Sequence, residues 1–336
     1  MVNSFKIACA AAALLILPGC TDLTEFDHTL HSGINIIHPP DLSVVSTIEN
    51  ISGARSLCII DDYFIVATTE GTLIRFDLAT HQQTGIFPIG SPSSAGYFKM
   101  EYSPTESSVY IIGALGEIIE VHVPDMEFMD RFSICETPVD IEMPTDIENP
   151  NFYIAGVTSR TIFEVRRGTN NLSRTSILPF SPTCMAIDQG QDTMLVGTVG
   201  GTVLVSIGGA GMHERMMNHF PVILAIKAIP NDTTFCAVFV EYYTPKIVTI
   251  LNYFNNPISP SPIWTDGVFI EGDTYYMCVE PDGSHAYILS YLGDNISRLL
   301  SYNCSSYVIE NQIDLAGYPL DIGISPGGTL LVLTAD

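Results

Sequence analysis

The stretch CVEPDGSHAYI, residues 278–288, has the form of a strand, a tight turn and the beginning of a second strand. Cys278 and Val279 end a short apolar segment, and residues 280–283 supply the Pro, Asp and Gly that favour tight turns. An aromatic and β-branched run then resumes at Ala286. The stretch therefore predicts a β-hairpin.

The same strand, turn and strand pattern recurs along the chain at intervals of 41 to 50 residues. The turns stand at Ile60-Asp61, Tyr102-Ser103-Pro104, Met143-Pro144, Ile187-Asp188, Ile229-Pro230, Val279-Glu280-Pro281 and Ile324-Ser325-Pro326. A second tight turn with nearly the same period follows in most units, as at Gly71-Thr72-Leu73, Gly116-Glu117-Ile118 and Gly201-Thr202-Val203. Two sets of turns, at different positions within the unit, thus define the same repeat.

Three to four short strands in a unit of about 44 residues, without helical periodicity between them, are typical of a β-propeller blade. The last of the seven units stops at Asp336 after two strands, while Ile34 to His38 and Leu42 to Ile48 supply two unassigned strand-like stretches. We therefore predict an all-β protein: a seven-bladed β-propeller of four-stranded antiparallel blades over residues 33–336. N-terminal strands complete its C-terminal blade.

The amino-acid sequence of the repeats resembles that of the YVTN-type propellers of bacterial envelopes. The likeness is clearest in residues 278–288 and in PLDIGISPGG, residues 319–328. It implies the YVTN repeat-like, quinoprotein amine dehydrogenase-like superfamily. The shared motifs consist of turn-forming residues, so they imply the fold and little about activity.

An export signal is predicted for residues 1–19. A single cation, Lys6, precedes an uncharged apolar run of the length of a signal-peptide core. The run ends in LPGC, residues 17–20, which resembles the lipobox of bacterial lipoproteins. The resemblance implies lipidation of Cys20, a tether over residues 20–32 and, because Thr21 is not Asp, attachment to the outer membrane. A chance cysteine after an ordinary signal is the alternative.

The charge of the chain excludes one class of partner. Its 37 Asp and Glu residues outnumber 13 Lys and Arg residues, for a net charge of −24. A polyanion would be repelled, so no nucleic acid is expected as a partner. An anionic membrane surface would also repel this charge, so attachment to the membrane depends on the lipid.

Cysteine and histidine patterns do not indicate a metal or haem site. The mature cysteines beyond Cys20 are widely spaced and form no zinc-type or haem-type motif; they are Cys58, Cys135, Cys184, Cys236, Cys278 and Cys304. Disulfides are open to them in an oxidising envelope, but most are expected to be small buried hydrophobes. None of the eight histidines falls on a predicted innermost strand, where copper and haem propellers need them.

Two local patterns suggest other proteins and are set aside by the repeat. Residues 194–212 carry no charge over 19 positions, a length sufficient for a transmembrane helix, but they fall on two strands and a turn of blade 4. Residues 323–327 match the Gly-x-Ser-x-Gly of hydrolases, but Ser325 lies between two strands rather than between a strand and a helix.

Charged residues are predicted on the innermost strands, around the central channel: Lys99, Glu101, Asp140, Glu142 and Asp321. Such carboxylates are suited to binding Ca²⁺ or to acid–base chemistry. The alternative, which we favour, is structural ion pairing, for example of Lys99 with Asp140. No other cofactor and no catalytic residue is predicted.

Tyrosines are predicted to gather on one face of the ring, where the second and fourth strands of each blade end. They are Tyr97, Tyr242, Tyr243, Tyr275, Tyr291 and Tyr318. Tyrosine suits a wet binding face, because its ring gives contact area and its hydroxyl binds water or a partner. Packing between blades is the alternative, and the Pro-rich Asn252 to Ile263 segment on the opposite face is a rival site.

The function expected from these features is that of a lipid-anchored, noncatalytic binding or scaffold module for an envelope protein or glycan. An enzyme of the quinoprotein-like dehydrogenase or lactonase-like kind, using the channel carboxylates, is one alternative. A factor for assembly of outer-membrane proteins is another.

Overall fold

The structure is a computed structural model that describes residues 31–39, 41–90, 97–113, 116–144, 149–188, 193–207, 212–216, 222–230, 234–240, 246–253, 262–264, 267–273 and 275–335. All regular secondary structure in these ranges is β-strand. The described chain accordingly contains no helix that could cross a membrane.

The strands form seven antiparallel sheets. The chain begins with β1 (His31–His38) and β2 (Ser43–Ser52). Blade 1 follows with β3 (Ala54–Ile60), β4 (Tyr63–Thr68), β5 (Thr72–Asp77) and β6 (Gln83–Pro88), and blade 2 with β7 (Tyr97–Ser103), β8 (Ser108–Gly113), β9 (Glu117–His122) and β10 (Glu127–Ser133). Blade 3 comprises β11 (Pro138–Glu142), β12 (Asn151–Gly156), β13 (Thr161–Arg166) and β14 (Asn171–Ile177).

Blade 4 comprises β15 (Pro182–Ile187), β16 (Thr193–Thr198), β17 (Gly201–Ser206) and β18 (His213–Met216). Blade 5 has β19 (Val222–Ala228), β20 (Thr234–Val240), β21 (Lys246–Tyr253), β22 (Pro262–Trp264) and β23 (Val268–Ile270). Blade 6 has β24 (Tyr275–Val279), β25 (His285–Gly293), β26 (Ile296–Asn303) and β27 (Val308–Ala316), and the chain ends with β28 (Tyr318–Ile324) and β29 (Leu330–Ala335). The predicted seven-bladed propeller is confirmed.

The ring is closed by strands from both ends of the chain. The seventh sheet has the order β28, β29, β1, β2, so the C-terminal strands are innermost and the N-terminal strands outermost. β1 runs antiparallel to β29, with Gly33 opposite Thr334 and Ile34 opposite Leu333. The predicted closure is confirmed, and β1 begins at His31, two residues before the expected start of the domain.

The hydrophobic core is divided among the contacts between neighbouring blades. Seven clusters of buried side chains occur among the described residues, and each joins two adjacent blades, including blade 7 to blade 1. Every sheet is thus covered on both faces. This explains why strands such as β8, β16 and β29 are buried at every position and apolar at most of them, whereas exposed and partly buried positions alternate along outer strands such as β6.

Blade 5 departs from the regular pattern. Its outer strand is divided into β22 and β23, which pair with opposite ends of β21. Gly267 lies just before β23, and a Cβ atom there would fall 2.1 Å from the Ile247 side chain. The sequence repeat did not predict this interruption.

The turn within residues 278–288 is held by side chains. Gly283 adopts a φ of 77°, and the Asp282 carboxylate accepts a hydrogen bond of 2.9 Å from the Ser284 amide. His285 lies between two carboxylates, with Nδ1 3.2 Å from Glu280 Oε2 and Nε2 3.0 Å from Glu310 Oε2. The Pro-Asp-Gly sequence therefore forms the predicted hairpin.

The uncharged stretch 194–212 lies in the sheet of blade 4. Residues 194–206 form most of β16 and all of β17, which pair with each other from Thr193 opposite Ser206 to Thr198 opposite Gly201. The interpretation of this stretch as strands rather than a transmembrane helix is confirmed for these residues.

Candidate functional site in the central channel

The first strand of each blade lines the channel, and these strands contact one another around the ring. Six of the seven contain a β-bulge near their beginning. A bulge re-aims the side chain beside it. The residues directly after the bulges, which we call the bulge positions, are Ser56, Lys99, Asp140, Cys184, Ala225 and Asp321.

Two aspartates at bulge positions link adjacent blades in the same way. Asp140 Oδ2 accepts a hydrogen bond of 2.8 Å from the Met185 amide of blade 4. Asp321 Oδ2 accepts one of 2.9 Å from the Leu57 amide of blade 1, and another of 2.7 Å from Ser56 Oγ. Burial raises the pKa of Asp321, although these hydrogen bonds oppose the shift. Both carboxylates thus hold innermost strands together.

Five charged side chains from three blades meet at the centre of the ring. We call Lys99, Glu101, Asp140, Glu142 and Lys227 the channel cluster. Lys99 donates a hydrogen bond to Asp140 and lies 3.8 Å from both Glu101 and Glu142. Lys227 Nζ lies 2.8 Å from Glu142 Oε1 and 3.8 Å from Glu101 Oε1. The predicted pair of Lys99 and Asp140 is therefore present within a larger network.

The channel cluster contains one more carboxylate than ammonium groups, and its electrostatics follow from that imbalance. Glu142 is only 12% exposed, and burial raises its pKa to about 7 against the attraction of Lys227 and Lys99. Burial alone would lower the pKa of Lys99 and of Lys227, but the adjacent carboxylates outweigh it and raise both. The two lysines therefore stay charged, and Glu142 is the group that takes up a proton near neutral pH.

A small cavity opens beside the cluster where the first strands of blades 3, 4 and 5 end. Its volume is about 160 Å³, and its polar lining comes from Glu142, Asp188 and Lys227. Asp188 is 9% exposed. The cavity thus gives solvent access to the carboxylate with the raised pKa, an arrangement suited to proton transfer or to binding a small polar group.

Two lysines lie among the carboxylates that were predicted to suit Ca²⁺. In the described part of the chain, no three His, Cys, Asp or Glu residues are placed to hold a metal ion. Lys99 and Lys227 occupy the positions between the carboxylates where a cation would have to bind.

The structure places the predicted tyrosines in different settings. Tyr291 and Tyr318 are partly buried and contact each other, with ring centroids 4.8 Å apart. Tyr275 is 8% exposed and donates its hydroxyl proton to the Gly272 carbonyl, and it packs in the cluster between blades 5 and 6, as the alternative predicted. Tyr97 begins β7, but its side chain lies outside the described part of the structure, as do Tyr242 and Tyr243 entirely.

Two further predicted sites cannot be placed. Cys20 and the tether before His31 lie outside the described residues, and so does most of the Pro-rich segment, from 254 to 261. The predictions about them stay predictions.

Lys227 was missed by the sequence analysis, although the repeat contained a signal for it. It lies two residues after the bulge position of blade 5, and Glu101 and Glu142 lie two residues after those of blades 2 and 3. Its neighbours in the sequence are apolar, because they face the clusters on either side of β19. Aligning the seven first strands by their bulges identifies it.

Comparisons with known proteins support the fold alone. No family model matches the chain, and no curated protein matches it. Hydrazine synthase from Kuenenia stuttgartiensis superposes with a TM-score of 0.66 at 13% identity, over 84% of this chain and 95% of that chain. The β-propeller domain of Cps50 (Swd1) from Myceliophteria thermophila superposes with a TM-score of 0.68 at 11% identity, over 90% of this chain and 99% of that one. The chain is a seven-bladed β-propeller.

Proposed function

We propose that this protein is a noncatalytic binding module that presents a rigid ring to a protein or glycan of the bacterial cell envelope. The observation that carries the proposal is the pairing within the channel cluster, where Lys99 binds Asp140 and Lys227 binds Glu142. The carboxylates there are bound by lysines or backbone amides. The groups that channel-based propeller enzymes use for catalysis are therefore largely engaged in structural contacts here. We further propose that a lipid on Cys20 holds the ring at the outer membrane.

The binding surface proposed is the face at which Tyr291 and Tyr318 meet. Tyr318 begins the first strand of blade 7, so this face lies at the opposite end of the channel from the cavity, which is lined where the first strands end. The Tyr291 hydroxyl accepts a hydrogen bond of 3.3 Å from the Asn295 amide, which orients the ring. Two adjacent, oriented tyrosines give a partner rigid contact area at low entropic cost.

The test is crosslinking in the native cell followed by mass spectrometry, comparing wild type with the Tyr291→Ala/Tyr318→Ala variant. We expect one envelope partner whose yield falls at least about tenfold in the variant, as for the loss of a small binding hot spot. Tyr307→Ala is the matched control, since Tyr307 is 36% exposed but lies in the turn between β26 and β27 on the other face. Equal loss with Tyr307→Ala, or no loss with the double variant, contradicts the assignment.

The anchor is tested separately with Cys20→Ser. We expect wild-type protein in the membrane fraction and the variant either released or retained with its signal uncleaved. A processed Cys20→Ser chain that still sediments with membranes would exclude lipidation at this cysteine.

One observation favours a second candidate, an enzyme of the lactonase-like or quinoprotein-like kind. Glu142 has a pKa raised to about 7 and lines a cavity, which are properties of a general acid or base. Turnover of sugar lactones, or of alcohols with a bound quinone, by purified protein and its loss in Glu142→Gln would support the enzyme. No turnover across both substrate classes favours the binding module.

A further inference from the structure

Positive charge is concentrated in one part of this acidic chain. Residues 149–187 contain four arginines and a single acidic residue, Glu164, although the whole chain has a net charge of −24. Most of this range forms the three outer strands of blade 3. Glu164 is 2% exposed and is bound by Asn151 and Arg174, so it does not offset the arginines at the surface. The rim of blade 3 is therefore suited to an anionic partner.

The outermost strand of blade 3, β14, has an open edge. In the described part of the chain, no strand pairs with the side of β14 that faces away from β13. The Leu178 amide donates a hydrogen bond of 2.6 Å to the Arg160 carbonyl. The neighbouring pair of Thr161 and Ile177 is therefore of the non-hydrogen-bonded kind. Consequently, the backbone N–H and C=O groups of Ile177 and Thr175 point toward the open edge.

The two faces of blade 3 beside this edge differ in chemistry. Arg174 lies opposite Glu164, and Arg166 is two residues further along β13, so both arginines are on the face toward blade 4. Arg166 is exposed, and the Arg174 side chain is 38% exposed. On the other face, Leu172 is 50% and Ile177 is 67% exposed. A strand added at the edge would thus place alternate side chains beside arginines and beside apolar residues.

We propose that the open edge of β14 binds an extended, acidic segment of a partner protein, which adds to blade 3 as a further strand. Backbone hydrogen bonds to Thr175 and Ile177 hold the segment. Its carboxylates, at every second position, face Arg174 and Arg166, and the apolar side chains between them cover Leu172 and Ile177.

Charge selects this edge over those of the other blades. Among the outer strands that the structure describes, β14 alone has a net positive charge. An acidic segment is therefore attracted here and repelled or unassisted elsewhere. The edge lies at the rim of the ring, apart from the tyrosine face, so this inference goes beyond the proposed function and does not depend on the envelope location.

The first test uses a peptide of about eight alternating Glu and Val residues, capped at both ends, against the purified full-length protein. We expect binding that weakens at high salt, and none for the Lys and Val peptide of the same length. The Arg166→Gln/Arg174→Gln variant should raise the Kd at least about fivefold. Arg131→Gln is the matched control, because Arg131 lies on the outer strand of blade 2 and its side chain is also 38% exposed.

Hydrogen exchange distinguishes strand addition from attraction of charge alone. We expect the bound peptide to slow exchange of the Thr175 and Ile177 amides and to leave the outer strand β6 of blade 1 unchanged. The same peptide with a central proline lacks an N–H group for pairing and should bind at least about fivefold more weakly. Unchanged exchange in the buried strand β8 shows that the arginine variant is folded.

Salt-sensitive binding that protects these two amides supports the proposal. Equal binding of the proline peptide, or binding without protection, overturns strand addition. An equal loss with Arg131→Gln, binding of the Lys and Val peptide, or no binding of the Glu and Val peptide overturns the assignment of an acidic segment to this edge.

Discussion

Lys227 of blade 5 donates a hydrogen bond of 2.8 Å to Glu142 of blade 3, past the intervening blade 4. Blade 4 contributes Ile187 and Asp188 to the wall of the same cavity. The bond therefore joins two blades that are not neighbours in the ring. It also makes Glu142 and Lys227 dependent on each other for their charge.

Removal of Lys227 should destabilise the protein in a pH-dependent way. Lys227→Met leaves Glu142 and Glu101 without one of their two cations, and we expect a loss of about 2 kcal/mol in the free energy of unfolding at pH 8. The loss should shrink at pH 5, where Glu142 is protonated. Urea denaturation at the two pH values measures it.

The Lys227→Met/Glu142→Gln double variant is the control for that experiment. Because it removes both partners, we expect it to recover at least about half of the loss at pH 8. Additive losses from the two single substitutions would show that the two side chains are not coupled.

Glu142 should make the protein less stable as pH rises. Its pKa in the folded protein is raised to about 7 from an ordinary value of 4.5, so the folded state binds more protons than the unfolded state between those values. The contribution of Glu142 to the free energy of unfolding is therefore complete below pH 4.5 and is lost as the pH rises to about 7. Glu142→Gln should flatten this decline, and an unchanged slope in that variant would contradict the assignment.

His285 should produce a separate decline at higher pH. Burial alone would lower its pKa, but hydrogen bonds to Glu310 and Glu280 raise it above 6.5. A raised histidine pKa gives stability that is complete below 6.5 and is lost as pH rises through the folded value. We expect an effect below about 1 kcal/mol, seen by NMR titration of the imidazole and removed by His285→Gln. A midpoint at or below 6.5 would refute it.

The closure of the ring should be energetically costly to damage. Leu333 is fully buried and lies opposite Ile34 across the two ends of the chain. Leu333→Ala is expected to cost about 3 kcal/mol by leaving a cavity. Ile86→Ala, on an outer strand and 57% exposed, should cost less than about 0.5 kcal/mol. Equal effects would mean that β1 does not close the ring.

The fold could be predicted from the sequence because the turn residues mark each repeat. Pro, Asp and Gly after each first strand mark the repeat, and the apolar second strands reflect burial on both faces. The division of the outer strand of blade 5 was not predictable, since it depends on the packing of Gly267 against Ile247 rather than on a local pattern.

The site was predictable only in part. The position within the repeat was enough to predict which charged residues lie on the channel strands, namely residues 99, 101, 140, 142 and 321. The partner of Lys99 was also predicted correctly. The division of roles between Asp321, which binds a backbone amide, and Glu142, which binds a lysine, depends on distances of a few ångströms between blades. Such distances are not contained in one sequence.

The pairing of Gly33 with Thr334 joins residues 301 positions apart. Contacts of such long sequence separation form late, because the intervening chain loses much conformational freedom before they stabilise it. β1 can pair with β2 as soon as both are synthesised, but its other edge has no partner until β29 is made. Each copy thus passes through a period with two open sheet edges, at which binding to a chaperone competes with aggregation.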